Sequence, residues 1–169
     1  MSLLNVPIGV NAPEEFNVII EIPRFSTNKY EMDEELGVMR LDRVLYSPLF
    51  YPWDYGFIPQ TRYLDGDPVD ALVLVMHPTY PGIVIDAKPI GVLEMMDGGK
   101  PDEKILCVAS KDPRFGDRER LEDLSPHTLA EIHHFFEIYK QLEKTDVTIK
   151  GWKGKEEAIR IVDSYRTDK

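Results

Sequence analysis

The most chemically active stretch of this 169-residue chain is the run DGDPVD at positions 65–70. It places three carboxylates, Asp65, Asp67 and Asp70, within six residues, and its glycine and proline favour a turn that leads into an apolar strand. Carboxylates this close repel one another, and either protonation or a bound hard cation relieves the repulsion. A plain turn is the alternative, because Asp-Gly and Asp-Pro are common turn dipeptides, but a turn does not need three acids. The pattern favours Mg²⁺ or Mn²⁺ over a calcium loop of the EF-hand type, which has glutamate where this chain has Met76.

A second acidic loop, DGGKPDEK, begins at Asp97 and reaches Asp102 and Lys104. Alone it resembles any polar surface loop, but together with the first cluster it could supply ligands for more than one ion. Charges also interrupt the predicted strands, as at Glu21 and Arg43. Each such charge is explained by an ordinary salt bridge, since an unpaired charge at the edge of a core is costly. Their repetition predicts one cleft that gathers charges of both signs.

Basic and phenolic side chains could complete an anion-binding site. Taken singly, each is typical of a solvated surface. As a set they suit phosphate or carboxylate, because ammonium, guanidinium and phenol groups donate hydrogen bonds to anionic oxygens. The candidates are Lys29, Arg43, Lys104, Lys140, Tyr55 and Tyr139.

Short strands followed by helices must position these groups. Runs rich in β-branched and aliphatic residues predict strands at 17–23, 29–33, 37–45, 70–77, 82–96 and 104–110. Apolar spacings of three and four predict a helix from Ser125 to about Leu142, capped by Ser125-Pro126, and a second from Lys155 to Tyr165. This order predicts an α+β fold, a small β-barrel or tightly curled sheet with helices packed on it, as a single domain over 1–169.

Composition limits the classes of function. The formal net charge of -10 and a pI near 4.9 disfavour nucleic acid and anionic membranes as partners. Cys107 is the single cysteine, so no intramolecular disulfide is expected. We expect Cys107 to be a buried core residue. The start lacks the basic region of a signal peptide, and the run ALVLVM is too short to cross a bilayer. We therefore expect a soluble cytoplasmic protein.

Several motifs in order give the chain a family resemblance. They are EIPR containing Glu21, KYE from Lys29 to Glu31, LDR ending at Arg43, YPWDYGFIPQT at 51–61, DGDPVD at 65–70, the spacing of Asp97, Asp102 and Lys104, and HFFEIYKQLE around Tyr139. Together they cover nearly the whole chain, which resembles the family I soluble inorganic pyrophosphatases in their compact prokaryotic form. No role is transferred to Lys111–Arg120, where the likeness is less clear.

The resemblance implies a fold, an activity and a set of roles. The fold is a five-stranded OB-type barrel with extra strands and two C-terminal helices outside. The activity is hydrolysis of pyrophosphate to two phosphates by in-line attack of a metal-activated water, with Asp67 as general base. Several Mg²⁺ ions are implied, with Mn²⁺ or Zn²⁺ as substitutes, together with a homohexamer. The implied metal ligands are Asp65, Asp70, Asp97, Asp102, Glu21 and Glu31. The implied substrate-binding residues are Lys29, Arg43, Tyr55, Lys104, Tyr139 and Lys140.

Two other classes of function stay open from the residues alone. One is a nucleic-acid-binding barrel, since OB folds commonly bind nucleic acid, although the negative charge opposes it. The other is a non-catalytic binder of divalent ions, which would not need the lysine, arginine and tyrosine set.

Overall fold

A computed structural model describes residues 3–168. Its strands are β1 Phe16–Ile22, β2 Asn28–Asp33, β3 Val38–Val44, β4 Asp54–Ile58, β5 Val69–Leu74, β6 Val84–Asp97, β7 Lys100–Pro101, β8 Lys104–Ala109 and β9 Val147–Gly154. The helices are α1 Pro126–Ile138 and α2 Lys155–Tyr165, with short 3₁₀ helices at Leu3–Asn5, Leu121–Asp123 and Gln141–Glu143. No helix within 3–168 is long and apolar enough to cross a membrane.

Five strands close into a ring. β1 pairs with β4, β4 with β5, β5 with β8, β8 with β6, and β6 returns to β1. Only the β5–β8 pair of this ring is parallel. The long β6 also pairs with β7 and β9, while β2 and β3 form a separate hairpin. This closed ring is consistent with an OB-type barrel and confirms the predicted α+β class.

Apolar packing holds the ring and the helices together. All six residues of β8 are buried, and so is nearly all of β1. Helix α1 contributes Ile132 and Phe136 to one core cluster, and α2 contributes Ile161 and Val162 to the other. Cys107 is fully buried, as expected for a core residue. The rigid barrel therefore presents its strand ends as fixed attachment points for polar side chains.

Three strands were not predicted from the sequence, namely β4, β9 and the two-residue β7, which lies in the second acidic loop. β4 contains Asp54 and Gly56, residue types that are depleted in strands. A Cβ at Gly56 would lie 1.9 Å from the carbonyl oxygen of Ile19, so glycine is required for β1 to approach. β9 contains two lysines and two glycines, half of its residues are exposed and none is buried, so it lacks the apolar run typical of a core strand.

Helix α1 is shorter than predicted. It ends at Ile138, and the residues expected to continue it form the 3₁₀ helix Gln141–Glu143 instead. Lys144 then adopts a left-handed conformation with φ of 58°, which stops any helical continuation. The apolar spacing continued to Leu142, but that side chain is exposed and gains nothing from packing. Helix α2 has the bounds that were predicted.

Candidate active site

A cavity of about 440 Å³ opens between the barrel rim and the β2–β3 hairpin. Every residue put forward from the sequence lines it, with Arg43 as the exception. The predicted residues along its wall are Glu21, Lys29, Glu31, Tyr55, Asp65, Asp67, Asp70, Asp97, Asp102, Lys104, Tyr139 and Lys140. Residues from six strands, two loops and the end of a helix therefore converge on one place.

The parallel pairing of β5 and β8 sets two of these groups side by side. Ala71 lies opposite Ile105 in the register, so Asp70 and Lys104 come one residue earlier at the same end of their strands. Tyr55 belongs to the neighbouring strand β4, where it pairs with Leu72. Its ring is buried, and burial raises the pKa of the phenol well above its usual value. Tyr55 is therefore a neutral hydrogen-bond donor at neutral pH.

Lys104 is the buried cation of the site, with 2% of its surface exposed. Its Nζ donates to Asp70 Oδ2 at 2.6 Å and to Asp102 Oδ1 at 2.7 Å. Burial by itself lowers the pKa of Lys104, but the attraction of both carboxylates outweighs burial and raises the pKa above its usual range. The ammonium therefore stays charged and joins a carboxylate of β5 to a carboxylate of the loop that precedes β8.

Glu21 enters the cavity because of a β-bulge. The β1–β4 register pairs Ile20 with Gly56 and Ile22 with Tyr55, leaving Glu21 as the extra residue. A bulge of this kind redirects a side chain away from the alternation of the strand. Burial raises the pKa of Glu21 to about 7, although its carboxylate accepts a hydrogen bond from the amide of Met32 at 2.8 Å. That bond also ties the hairpin to the barrel.

The loop that carries Asp65 and Asp67 is short and internally hydrogen bonded. The amide of Asp67 donates to Asp65 Oδ1 at 3.0 Å, and the amide of Tyr63 donates to the Asp67 carbonyl at 2.6 Å. Gly66, at the tip, has φ of +96°, which favours glycine. Partial burial, then repulsion from Asp65 and Asp70, raises the pKa of Asp67 above its ordinary value. Asp67 therefore has more affinity for a proton than a solvated aspartate.

The opposite wall comes from the end of β6 and the residues that follow α1. Asp97 Oδ2 accepts hydrogen bonds from the Lys140 ammonium and, at 3.3 Å, from the Tyr139 hydroxyl. Tyr139 caps α1 and is buried, and burial raises the pKa of its phenol well above the usual value. The early end of α1 thus releases Lys140 to face the second acidic loop.

The hairpin supplies the remaining groups. Lys29 and Glu31 alternate on β2 and form an ion pair, while Lys29 also lies 3.5 Å from Asp42. Burial lowers the pKa of Lys29, more than the neighbouring carboxylates raise it. Arg43 pairs with Lys29 in the β2–β3 register, yet its guanidinium binds Asp42 and Glu143 and does not line the cavity.

Two charged residues of the cavity wall were missed from the sequence. Glu34 lies in the turn after β2, and Lys100 lies on β7 between the two acids of the second loop. Lys100 was within a loop already singled out, but a lone lysine among acids gave no signal of its own. Glu34 follows directly on Asp33 in an acidic run, a pattern that is also typical of a solvated turn.

The carboxylates suit a hard divalent cation by their chemistry. Within residues 3–168 no three acidic, histidine or cysteine side chains form a ready-made cage. Instead an ammonium, that of Lys104, lies between Asp70 and Asp102, at a position where positive charge is stabilised. The repulsion of Asp67 by Asp65 and Asp70 is a second indication that a positive charge would be stabilised there. Mg²⁺ keeps several waters and needs only a few carboxylates, so this donor set fits it.

The fold and the site together define a class of protein. A closed barrel with external helices carries, at its rim, oxygen ligands for divalent cations beside lysine and tyrosine donors for a small anion. This is the equipment of a metal-assisted enzyme that acts on a phosphate compound, since such enzymes neutralise and bind phosphoryl oxygens in the same way.

Comparisons with known proteins narrow the class to a family. The family model for inorganic pyrophosphatase matches residues 18–168. Proteins named inorganic pyrophosphatase are 51% identical over 151 residues in Halalkalibacterium halodurans (89% of this chain, 93% of the relative) and 52% identical over 163 residues in Nostoc sp. (96% of each). The crystal structure of the inorganic pyrophosphatase from Thermus thermophilus aligns with a TM-score of 0.94 at 41% identity, covering 98% of this chain and 97% of that one. The chain belongs to the inorganic pyrophosphatase family, as its motifs predicted.

Proposed function

We propose that this chain hydrolyses pyrophosphate to two phosphates with the help of Mg²⁺. The observation that carries the proposal is the joining of two sets of groups in one cavity, carboxylates for cations and ammonium and phenol groups for an anion. A cation binder without catalysis would need the first set alone. Family membership supports the same activity.

The metal-holding residues in this proposal are the carboxylates of the cavity. We assign this part to Asp65, Asp70, Asp97, Asp102, Glu21 and Glu31. When bound, divalent cations neutralise phosphoryl charge and lower the pKa of water. Mn²⁺ and Zn²⁺ are the proposed substitutes, because they also accept oxygen ligands.

Asp67 is the proposed general base. It lies at the loop tip between Asp65 and Asp70, faces the cavity and pairs with no cation at salt-bridge distance among the described contacts. Its raised pKa moves it toward the range in which a carboxylate takes a proton efficiently. In the proposed step, the Asp67 carboxylate accepts one proton from the water that attacks phosphorus, and the bridging oxygen leaves with the other phosphate.

The grip on the substrate comes from cations and phenols on different elements. Lys29 lies on the hairpin, Lys104 lies at the start of β8, and Lys140 follows α1, so the three side chains belong to different elements of the cavity wall. Tyr55 and Tyr139 add neutral donors because their phenols stay protonated. We place Arg43 in the same set, reached by exchange of its Asp42 and Glu143 partners for a phosphoryl oxygen. Together these donors oppose the charge that spreads over the phosphoryl oxygens in the transition state.

The Asp67→Asn variant tests the base directly. Asparagine keeps the shape of the side chain but does not take the proton, so turnover should fall roughly 10²- to 10⁴-fold. Asp117→Asn is the matched control, because Asp117 is an exposed aspartate that pairs only with Arg118 in the recorded ion pairs. Phosphate release is measured for both variants at saturating pyrophosphate. Turnover close to that of the wild type in a folded Asp67→Asn protein would remove Asp67 from the role.

We also propose a homohexamer, a cytoplasmic location and a single domain over 1–169. The resemblance to compact prokaryotic members of the family supports all three. Sedimentation of the purified chain measures the first, and a sixfold mass is expected.

A further inference from the structure

Arg62 lies directly before the loop of Asp65 and Asp67, and neither the motifs nor the cavity wall give it a role. Its guanidinium Nη1 donates a hydrogen bond of 2.5 Å to the carbonyl oxygen of Gly66, at the loop tip. Its side chain is 53% exposed, so a casual surface contact is the alternative. The position of the acceptor argues against that, because Gly66 separates the two acids.

The chain around Arg62 is anchored to the rest of the fold. The amide of Arg62 donates to the carbonyl of Tyr165 at 2.8 Å, at the end of α2. The Thr61 hydroxyl donates to the Ile58 carbonyl at 2.6 Å and accepts from the Val69 amide at 2.9 Å. The base of the loop is therefore fixed on both sides, and the Arg62 side chain extends this support to the tip.

The same guanidinium faces the hairpin. Glu34, which lines the cavity, has its Oε1 3.8 Å from Arg62 Nη1. Both side chains are more than half exposed, so this ion pair adds little energy. It does show that Arg62 lies where the hairpin and the loop meet at the cavity mouth. A planar guanidinium suits this place, since one donor can hold the carbonyl while another faces a carboxylate.

We propose that Arg62 is a positioning residue for Asp67. By holding the Gly66 carbonyl it keeps the 65–67 segment in the conformation that presents both carboxylates to the cavity. The kinetic side of the inference rests on the proposed function, whereas the support of the loop does not. Small displacements of a reacting group are expensive, and about 1 Å can cost 10²-fold in rate.

The test compares three variants of the full chain. Arg62→Met keeps the aliphatic stem and removes the donors. Arg62→Lys keeps the charge and one flexible donor. Arg160→Met is the control, because Arg160 is 62% exposed and its ion pair is with Glu157 of the same helix, α2.

The first readout is hydrogen exchange of the 63–67 amides in protein without added metal. Arg62→Met should exchange about 2- to 10-fold faster at Gly66 and Asp67, since loss of one hydrogen bond favours local opening by that factor. Arg62→Lys should lie between Arg62→Met and the wild type. Unchanged exchange in Arg62→Met, or an equal change in Arg160→Met, overturns the proposal.

The second readout is kinetic. Arg62→Met should lower kcat for pyrophosphate about 3- to 30-fold and leave KM within about twofold, because the substitution displaces the base Asp67 and leaves the substrate contacts in place. Arg62→Lys should recover part of kcat. Faster exchange with unchanged kcat overturns the positioning role. A wild-type protein that releases no phosphate refutes the proposed function instead, while the exchange readout still decides whether Arg62 holds the loop.

Discussion

Replacing Lys104 by methionine should destabilise the protein when divalent cations are absent and much less when they are present. Lys104→Met keeps the length and apolar stem of the side chain but removes the ammonium between Asp70 and Asp102. Both carboxylates would then face each other without a counter-charge. Breaking one partner of a buried ion pair costs about 3–5 kcal/mol. The acids are 29% and 19% exposed, so water solvates them in part. The expected cost therefore lies below that range, at about 2–3 kcal/mol.

Thermal unfolding measures this effect. For a chain of this size about 1 kcal/mol shifts Tm by about 2–4 °C, so the variant should unfold about 5–10 °C below the wild type in a chelating buffer. Mg²⁺ at 100 times its dissociation constant stabilises a protein by about 2.7 kcal/mol. If the ion binds the same acids, Mg²⁺ should raise Tm more in Lys104→Met than in the wild type, where the ammonium already neutralises them.

Lys88→Met is the matched control. Lys88 pairs with Glu119 at 3.1 Å, and that carboxylate is 56% exposed, so the pair is worth about 0–1 kcal/mol. Its Tm should change little and should respond to Mg²⁺ as the wild type does. An unchanged Tm in Lys104→Met without metal would mean that the two acids relax into solvent and need no cation, contrary to this expectation.

Two further variants test other parts of the account. Arg43→Ala should lower kcat/KM roughly 10- to 100-fold, because a hydrogen bond to a charged group is worth about that factor and the guanidinium would leave Glu143 for a phosphoryl oxygen. Steady-state kinetics measures this change. Unchanged kinetics would make Arg43 a purely structural ion-pair residue. Asp54→Asn should destabilise by about 1–3 kcal/mol in urea unfolding, because both oxygens of the buried Asp54 accept hydrogen bonds, from the Arg24 amide and from Thr79. Burial raises the pKa of Asp54 above its ordinary value of 3.8 more than those hydrogen bonds lower it. The folded wild type therefore binds the Asp54 proton more tightly than the unfolded chain does. The stability that this proton contributes is complete below pH 3.8 and is lost as the pH rises through the folded pKa. The cost of Asp54→Asn should therefore shrink from acidic to neutral pH, and a cost that grows with pH would contradict the shift.

A continuous apolar run predicted β8, because burial of all its residues leaves little choice of residue. The apolar spacing of three and four predicted the span of α2, because Ala158, Ile161 and Val162 are buried on one face of that helix. β4 was missed because Gly56 serves a close approach of Ile19 and not a local preference. Closure of the ring depends on β1 meeting β6, a contact between segments that are far apart in the chain. No local period reports such a contact.

The candidate site divides in a similar way. The spacing of Asp65, Asp67 and Asp70 was readable because repulsion among near neighbours is a local property. The entry of Glu21 depends on a bulge, which simple alternation does not predict. The contact of Arg62 could not be predicted from the sequence, because its acceptor is the backbone carbonyl of Gly66 and every residue has such a carbonyl.

Phosphate release from pyrophosphate, measured with and without Mg²⁺, is the decisive test of the proposed activity. ATP and a simple phosphomonoester run in parallel distinguish a pyrophosphatase from a general phosphatase. We expect fast release from pyrophosphate that requires the metal, with little from the other two compounds. No release with any divalent cation, from protein shown to be folded, would contradict it and would leave the cavity as a binding site without catalysis.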